Sequence, residues 1–86
     1  MPKVIYENGS HYCWVYQDGD DYFLDTVCGG AGVYGVAIKM LPEEIVEFTR
    51  DPATVLELSR DLCFRPGFYE ARTVDEATAI RLRKSV

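Results

Sequence analysis

Eighty-six residues allow one domain, with a core near the smallest size that sustains itself, and exclude a second independent unit. With 14 acidic against 9 basic residues and a net charge of −5, the chain lacks the basic surface that a nucleic-acid or anionic-membrane binder needs. The charge is uneven: up to Phe64 eleven acidic residues face four basic ones, and from Arg65 onward five basic residues face three acidic ones.

Aromatic residues make up 13% of the chain, including six Tyr and one Trp. A core this small does not enclose so many rings, so some are expected half exposed, where amphipathic rings favour partner contacts. Cys13, Cys28 and Cys63 form an odd set without paired spacing, from which no disulfide framework and a reducing, cytoplasmic setting are expected. The N-terminal residues hold no apolar run of signal-peptide length, and no stretch approaches a membrane span.

In chain order, Lys3 to Tyr6 reads as a short edge strand stopped by the turn formers Asn8-Gly9. A strand from His11 to Gln17 follows, placing Tyr12, Trp14 and Tyr16 on one face. Asp18-Gly19-Asp20 reads as a hairpin turn. In the next strand Tyr22, Leu24, Thr26 and Cys28 share one face, and Phe23, Asp25 and Val27 the other. An unpaired carboxylate resists burial, so the Leu24 side is expected to be the core face and the Asp25 side to be open. Beyond the glycines, Tyr34, Val36, Ile38 and Met40 form the apolar side of a further strand, with Lys39 opposite.

Leu41-Pro42-Glu43-Glu44 predicts a helix start, because proline suits the first turn and carboxylates suit the positive helix end. Ile45, Val46, Phe48 and Thr49 would line one side, and Asp51-Pro52 would end the helix. A second helix from about Ala53 to Phe64 would bury Val55, Leu58 and Leu62, and Arg65-Pro66-Gly67 would close it. Phe68 and Tyr69 are then expected to fold back on the core. Thr73-Val74-Asp75-Glu76 matches a capping box, predicting a third helix to about Arg83 with Val74, Ala77 and Ile80 inward. The resulting fold class is α+β, a single domain over 1–86: an antiparallel meander of three to four strands covered on one face by two to three C-terminal helices.

No catalytic machinery, metal or cofactor is expected. Gly30-Ala31-Gly32-Val33-Tyr34-Gly35 spells a dinucleotide-binding pattern, but a strand follows where the phosphate-binding helix would have to begin, so a hairpin turn with a glycine bulge is expected. Val36-Ala37-Ile38-Lys39 echoes the lysine strand of protein kinases without the accompanying loops. His11 and Cys13 lie two apart on one strand face, yet no orienting group or oxyanion site accompanies them, and Cys13 reads as an apolar filler. The three cysteines and one histidine lack the paired spacing of zinc sites. Asp18, Asp20 and Asp21 lack the glycine and closing glutamate of a calcium loop.

Three stretches carry a resemblance: Tyr22-Phe-Leu-Asp-Thr-Val-Cys, then Val36-Ala-Ile-Lys-Met-Leu-Pro-Glu-Glu, then Arg65-Pro-Gly-Phe-Tyr-Glu-Ala-Arg. In their order of strand, glycine turn, strand and Pro-Glu-Glu helix they resemble small bacterial immunity proteins of polymorphic toxin systems. That resemblance implies a cytosolic inhibitor encoded beside its toxin. The expected function is therefore a binding protein that neutralises a basic protein partner, such as a nuclease-type toxin, through carboxylate steering and aromatic anchors. Trp14, Tyr16, Asp18, Asp20, Asp21 and Asp25 form one candidate patch, and Glu43, Glu44 and Glu47 a second. The alternatives are a homodimer that hides its aromatic strand face, and a small ligand-binding protein using the Cys28 to Gly35 turn.

Overall fold

The computed structural model describes residues 2–10, 12–28 and 34–84. Four antiparallel strands, β1 (Lys3–Asn8), β2 (Cys13–Asp18), β3 (Asp21–Cys28) and β4 (Tyr34–Lys39), lie side by side in chain order. Helices α1 (Pro42–Arg50) and α2 (Thr54–Phe64), a 3-10 helix (Pro66–Arg72) and α3 (Glu76–Arg83) complete the chain order. This is the expected α+β meander.

Register sorts the side chains. Val15 pairs with Leu24 and Leu24 with Ile38, so these three share a first face; Tyr16 pairs with Phe23, and Asp25 with both Trp14 and Ala37, on a second. In the β2–β3 turn Asp18 pairs with Asp21 across two residues, and Gly19 takes a φ of 64°, a conformation that costs glycine little. A bulge in β1 pairs Val4 with Tyr16 but Tyr6 with Val15, reversing the strand's parity. Val4 thereby feeds the second face, while Tyr6 meets Phe48 of α1 edge-on at 5.8 Å between ring centres on the first.

On the first face Cys13, Val15, Leu24, Ile38 and Met40 pack with Phe48 of α1, Val55 and Leu62 of α2 and Tyr69 of the 3-10 helix. Glu44 accepts from the Leu41 amide at 2.8 Å and fastens the start of α1. A buried hydroxyl chain joins α2 to the sheet: Thr26 donates to the Tyr12 carbonyl at 3.3 Å, which commits its one proton, so Ser59 must donate to Thr26 across their 2.6 Å.

The second face is not open. Tyr16, Phe23 and Leu82 of α3 form a second apolar cluster, joined by half-buried Val4, Trp14 and Val74. Residues 73–74 run along the outer edge of β4, with Ile38 bridged to Thr73 and the Val74 amide donating to the Ala37 carbonyl at 2.9 Å, and this carries the chain across to that side. Asp25 is buried there at 3% exposure because it is not alone: Arg83 pairs with it from 58 residues away.

Other local expectations are corrected. Cys28 and Cys63 form a disulfide across 35 residues, while Cys13 is a free, buried thiol whose pKa burial pushes up. The α3 N-cap is Asp75, which accepts from the Thr78 amide at 3.0 Å; Thr73 instead donates to the Tyr69 carbonyl. With the start moved, Ala79 and Leu82 turn inward, and Ile80 is 43% exposed. Tyr69 folds back, but Phe68 is 76% exposed under the Arg65 guanidinium, and Val46 of α1 also faces solvent.

Candidate functional site

The first candidate patch does not form a continuous surface. Tyr16 and Asp25 lie beneath α3, and Trp14 is half-buried beside them. Asp18 pairs with Arg81 at 3.4 Å and Asp21 with Lys39 at 3.2 Å, leaving Asp20 exposed in the turn. The aromatic strand face, which the alternative homodimer reading would hide against a second copy, is covered in part by α3 of the same chain. Burial and the Asp25 charge push the Tyr16 hydroxyl up to about 12.

The second patch gains residues. Glu44 and Glu47 of α1 face Glu57 and Asp61 of α2 across a cleft of about 280 Å³, floored in part by Met40, Val55 and Leu58. Glu43, also exposed on α1, does not line it. Spacings of three and four residues put Glu44 and Glu47 on one side of α1, and Glu57 and Asp61 on one side of α2. The Asp51-Pro52 break between the helices lets those sides meet.

The cleft's carboxylates differ in their partners. Arg72 donates to Glu44 and also to the Lys39 carbonyl at 3.0 and 3.2 Å, while its guanidinium lies 5.3 Å from the Tyr69 ring centre. Asp61 accepts from Arg65 at 2.6 and 2.8 Å and from the Tyr69 hydroxyl at 2.5 Å. The Tyr69 hydrogen bond, followed by that from Arg65, holds the Asp61 carboxyl below its ordinary value; burial and the same hydrogen bond push Tyr69 up to about 12. Glu47 and Glu57 carry no ion pair among the described residues. At i+7 from Glu57, Phe64 continues the stripe and is 78% exposed, close in sequence to exposed Phe68.

Comparison with known families, characterised proteins and solved structures finds no match to this chain. The site therefore rests on its own geometry. Among the described residues, no group of three or more His, Cys, Asp or Glu side chains could hold a metal ion, and no helix is long and apolar enough to cross a membrane.

Of the expected Cys28 to Gly35 turn, residues 29–33 lie outside the described residues, as does His11. Strand β4 begins directly beyond that segment, so the helix that a dinucleotide site needs does not start at Gly35. Sequence reasoning found Glu44 and Glu47 but missed Glu57 and Asp61. The i, i+4 spacing of that pair was the available signal.

Proposed function

We propose that this protein is a small binding protein that neutralises a basic protein partner, in the manner of a toxin inhibitor, through the cleft between α1 and α2. One observation supports the reading most: four carboxylates border a cleft with an apolar floor, two of them uncompensated, with exposed Phe64 continuing the acidic side of α2. Carboxylates so placed steer a cationic surface and pair with the groups that would hold substrate phosphates. Phe64 and Phe68 supply the apolar contact that long-range charge cannot. An interface of about 800 Å² per partner, the usual size, extends past the cleft onto the exposed flanks of both helices.

The test pairs the full chain with the protein encoded by the adjoining reading frame. The expected result is a complex of equal stoichiometry whose association slows as salt rises. Reversing Glu47→Lys and Glu57→Lys together should slow association at least about tenfold without changing the melting temperature, since both side chains are exposed or unpaired. Unchanged association in the double reversal would remove the cleft from the interface.

A further inference from the structure

Apolar burial and paired charge together fasten α3 to the second face. Among its residues only Ala79 and Leu82 are buried. Beside them, Arg83 lays Nε and Nη2 on the two oxygens of Asp25 at 2.9 and 3.0 Å, and Arg81 reaches Asp18. Tyr16 donates to the same carboxylate at 3.4 Å. On β4, Gly35 leaves the space the fork occupies: a Cβ there would stand 2.7 Å from Arg83 Nη2. Trp14 and Val27 form walls, and a cavity of about 340 Å³ remains around the pair.

These are the parts of a guanidinium receptor: a buried carboxylate offering both oxygens, a hydroxyl, an aromatic wall, and a missing side chain where the planar fork enters. Mere attachment of α3 would not require them, because an ion pair with its carboxylate buried and its arginine side chain 41% exposed gives little stability over an apolar replacement of similar volume. We infer that the Asp25 pocket is a receptor for arginine side chains, filled in this chain by its own Arg83, and that an arginine of a basic polypeptide partner exchanges with it and lifts α3 from the Trp14 face. The inference rests on the proposed function only for the source of that arginine; the pocket is testable without any partner.

Arg83→Ala in the full chain leaves the buried Asp25 without its cation and should lower the melting temperature by about 10 °C or more. Ethylguanidinium at low millimolar concentration should restore most of that loss saturably, ethylammonium at equal ionic strength should not, and Arg83→Ala combined with Asp25→Asn should gain from neither. Equal recovery with both cations, or none in a folded Arg83→Ala chain, overturns the inference. Should Arg83→Ala stay unfolded throughout, the unaltered chain decides. A peptide copy of residues 76–84 should then speed amide exchange in α3 and shift Trp14 emission, and the copy carrying citrulline at position 83 should do neither; identical behaviour of the two peptides overturns it. Guanidinium rescue alongside undiminished partner association in the cleft double reversal would refute the cleft and leave this pocket standing.

Discussion

Reducing the Cys28–Cys63 bond should cost this domain a large part of its stability. The bond ties the end of β3 to the last turn of α2 and closes a loop of 35 residues. On the chain-entropy argument, a cross-link of that span destabilises the unfolded ensemble by about 4 kcal/mol. A chain of this length commonly has a total stability of roughly 4–13 kcal/mol, so reduction removes between about a third and nearly all of it. The matching fall in melting temperature is about 15–30 °C. Urea unfolding followed by Trp14 fluorescence, with and without a phosphine reductant, measures the effect. The midpoint should fall, and the slope should rise because the uncross-linked unfolded chain exposes more surface. Cys28→Ala with Cys63→Ala should give the same shift plus about 1–2 kcal/mol for the volume left by two sulfurs, most of it at buried Cys28. Cys13, free and buried, should be the one thiol that titrates in the unfolded, unreduced chain. Three titrating thiols there, or an unchanged midpoint on complete reduction, would refute the reasoning.

Four further outcomes are expected. Thr26→Val strands the buried Ser59 hydroxyl and should cost about 1–3 kcal/mol in urea unfolding, whereas Ser59→Ala leaves Thr26 its bond to the Tyr12 carbonyl and should cost less; the double variant should cost less than the sum, because it removes both ends of their shared bond. Gly35→Ala would set a Cβ 2.7 Å from Arg83 Nη2, so the fork must shift from Asp25; the cost should be about 1 kcal/mol or less and should vanish in an Arg83→Ala background when the two are compared in a double-mutant cycle. Asp61, held low by Tyr69 and Arg65, and Asp75, held low by its hydrogen bond with Thr78, have folded pKa values below their unfolded ones. Their contribution is present above the unfolded value of about 3.9 and is lost as pH falls through the folded value, so acid unfolding should begin at higher pH in Tyr69→Phe and in Asp75→Ala. Tyr16 and Tyr69, both raised to about 12, hold stability that is complete below the ordinary tyrosine value of about 10 and lost as pH rises through 12; ultraviolet phenolate titration should show a late phase that loses one proton in Tyr16→Phe.

The strands were legible because their signals are local: alternation in β2 to β4, the Asp18-Gly19-Asp20 reversal, and Pro42 ahead of two glutamates. Asp25 was misplaced because the rule applied to it concerns an unpaired carboxylate, and its cation lies 58 positions downstream. A signal for the pairing did exist. Up to Phe64 the carboxylates outnumber the cations eleven to four, and from Arg65 onward the cations lead five to three, so the tail had reason to return to the body. The disulfide was missed for a similar reason: Cys28 and Cys63 come together only after α2 has crossed the end of β3. In α3 the start moved from Thr73 to Asp75, and a helix of eight residues with apolar side chains at Ala77, Ala79, Ile80 and Leu82 does not fix its own inward face. The cleft was half legible, since α1 displays its carboxylates in sequence whereas the side of α2 that meets them is set by the Asp51-Pro52 break.

The two faces of the sheet are held by different forces, and this decides which part of the molecule gives way first. Val15, Leu24, Ile38, Val55 and Leu62, all at 0–1% exposure, belong to a cluster that includes no residue of α3. That cluster is apolar and is reinforced by the Cys28–Cys63 bond, so charge screening does not weaken its packing and a kosmotropic salt such as sulfate strengthens it. The opposite face relies on Arg83 with Asp25, Arg81 with Asp18 and the side chain of Leu82. The partly exposed Arg81 pair is open to screening, and the Asp25 pair is open to competition from another guanidinium. Loosening of α3 therefore leaves the first-face core intact and stays a local opening rather than global unfolding. A tail attached in this way keeps Asp25 paired in the free protein while leaving its pocket accessible to a competing arginine.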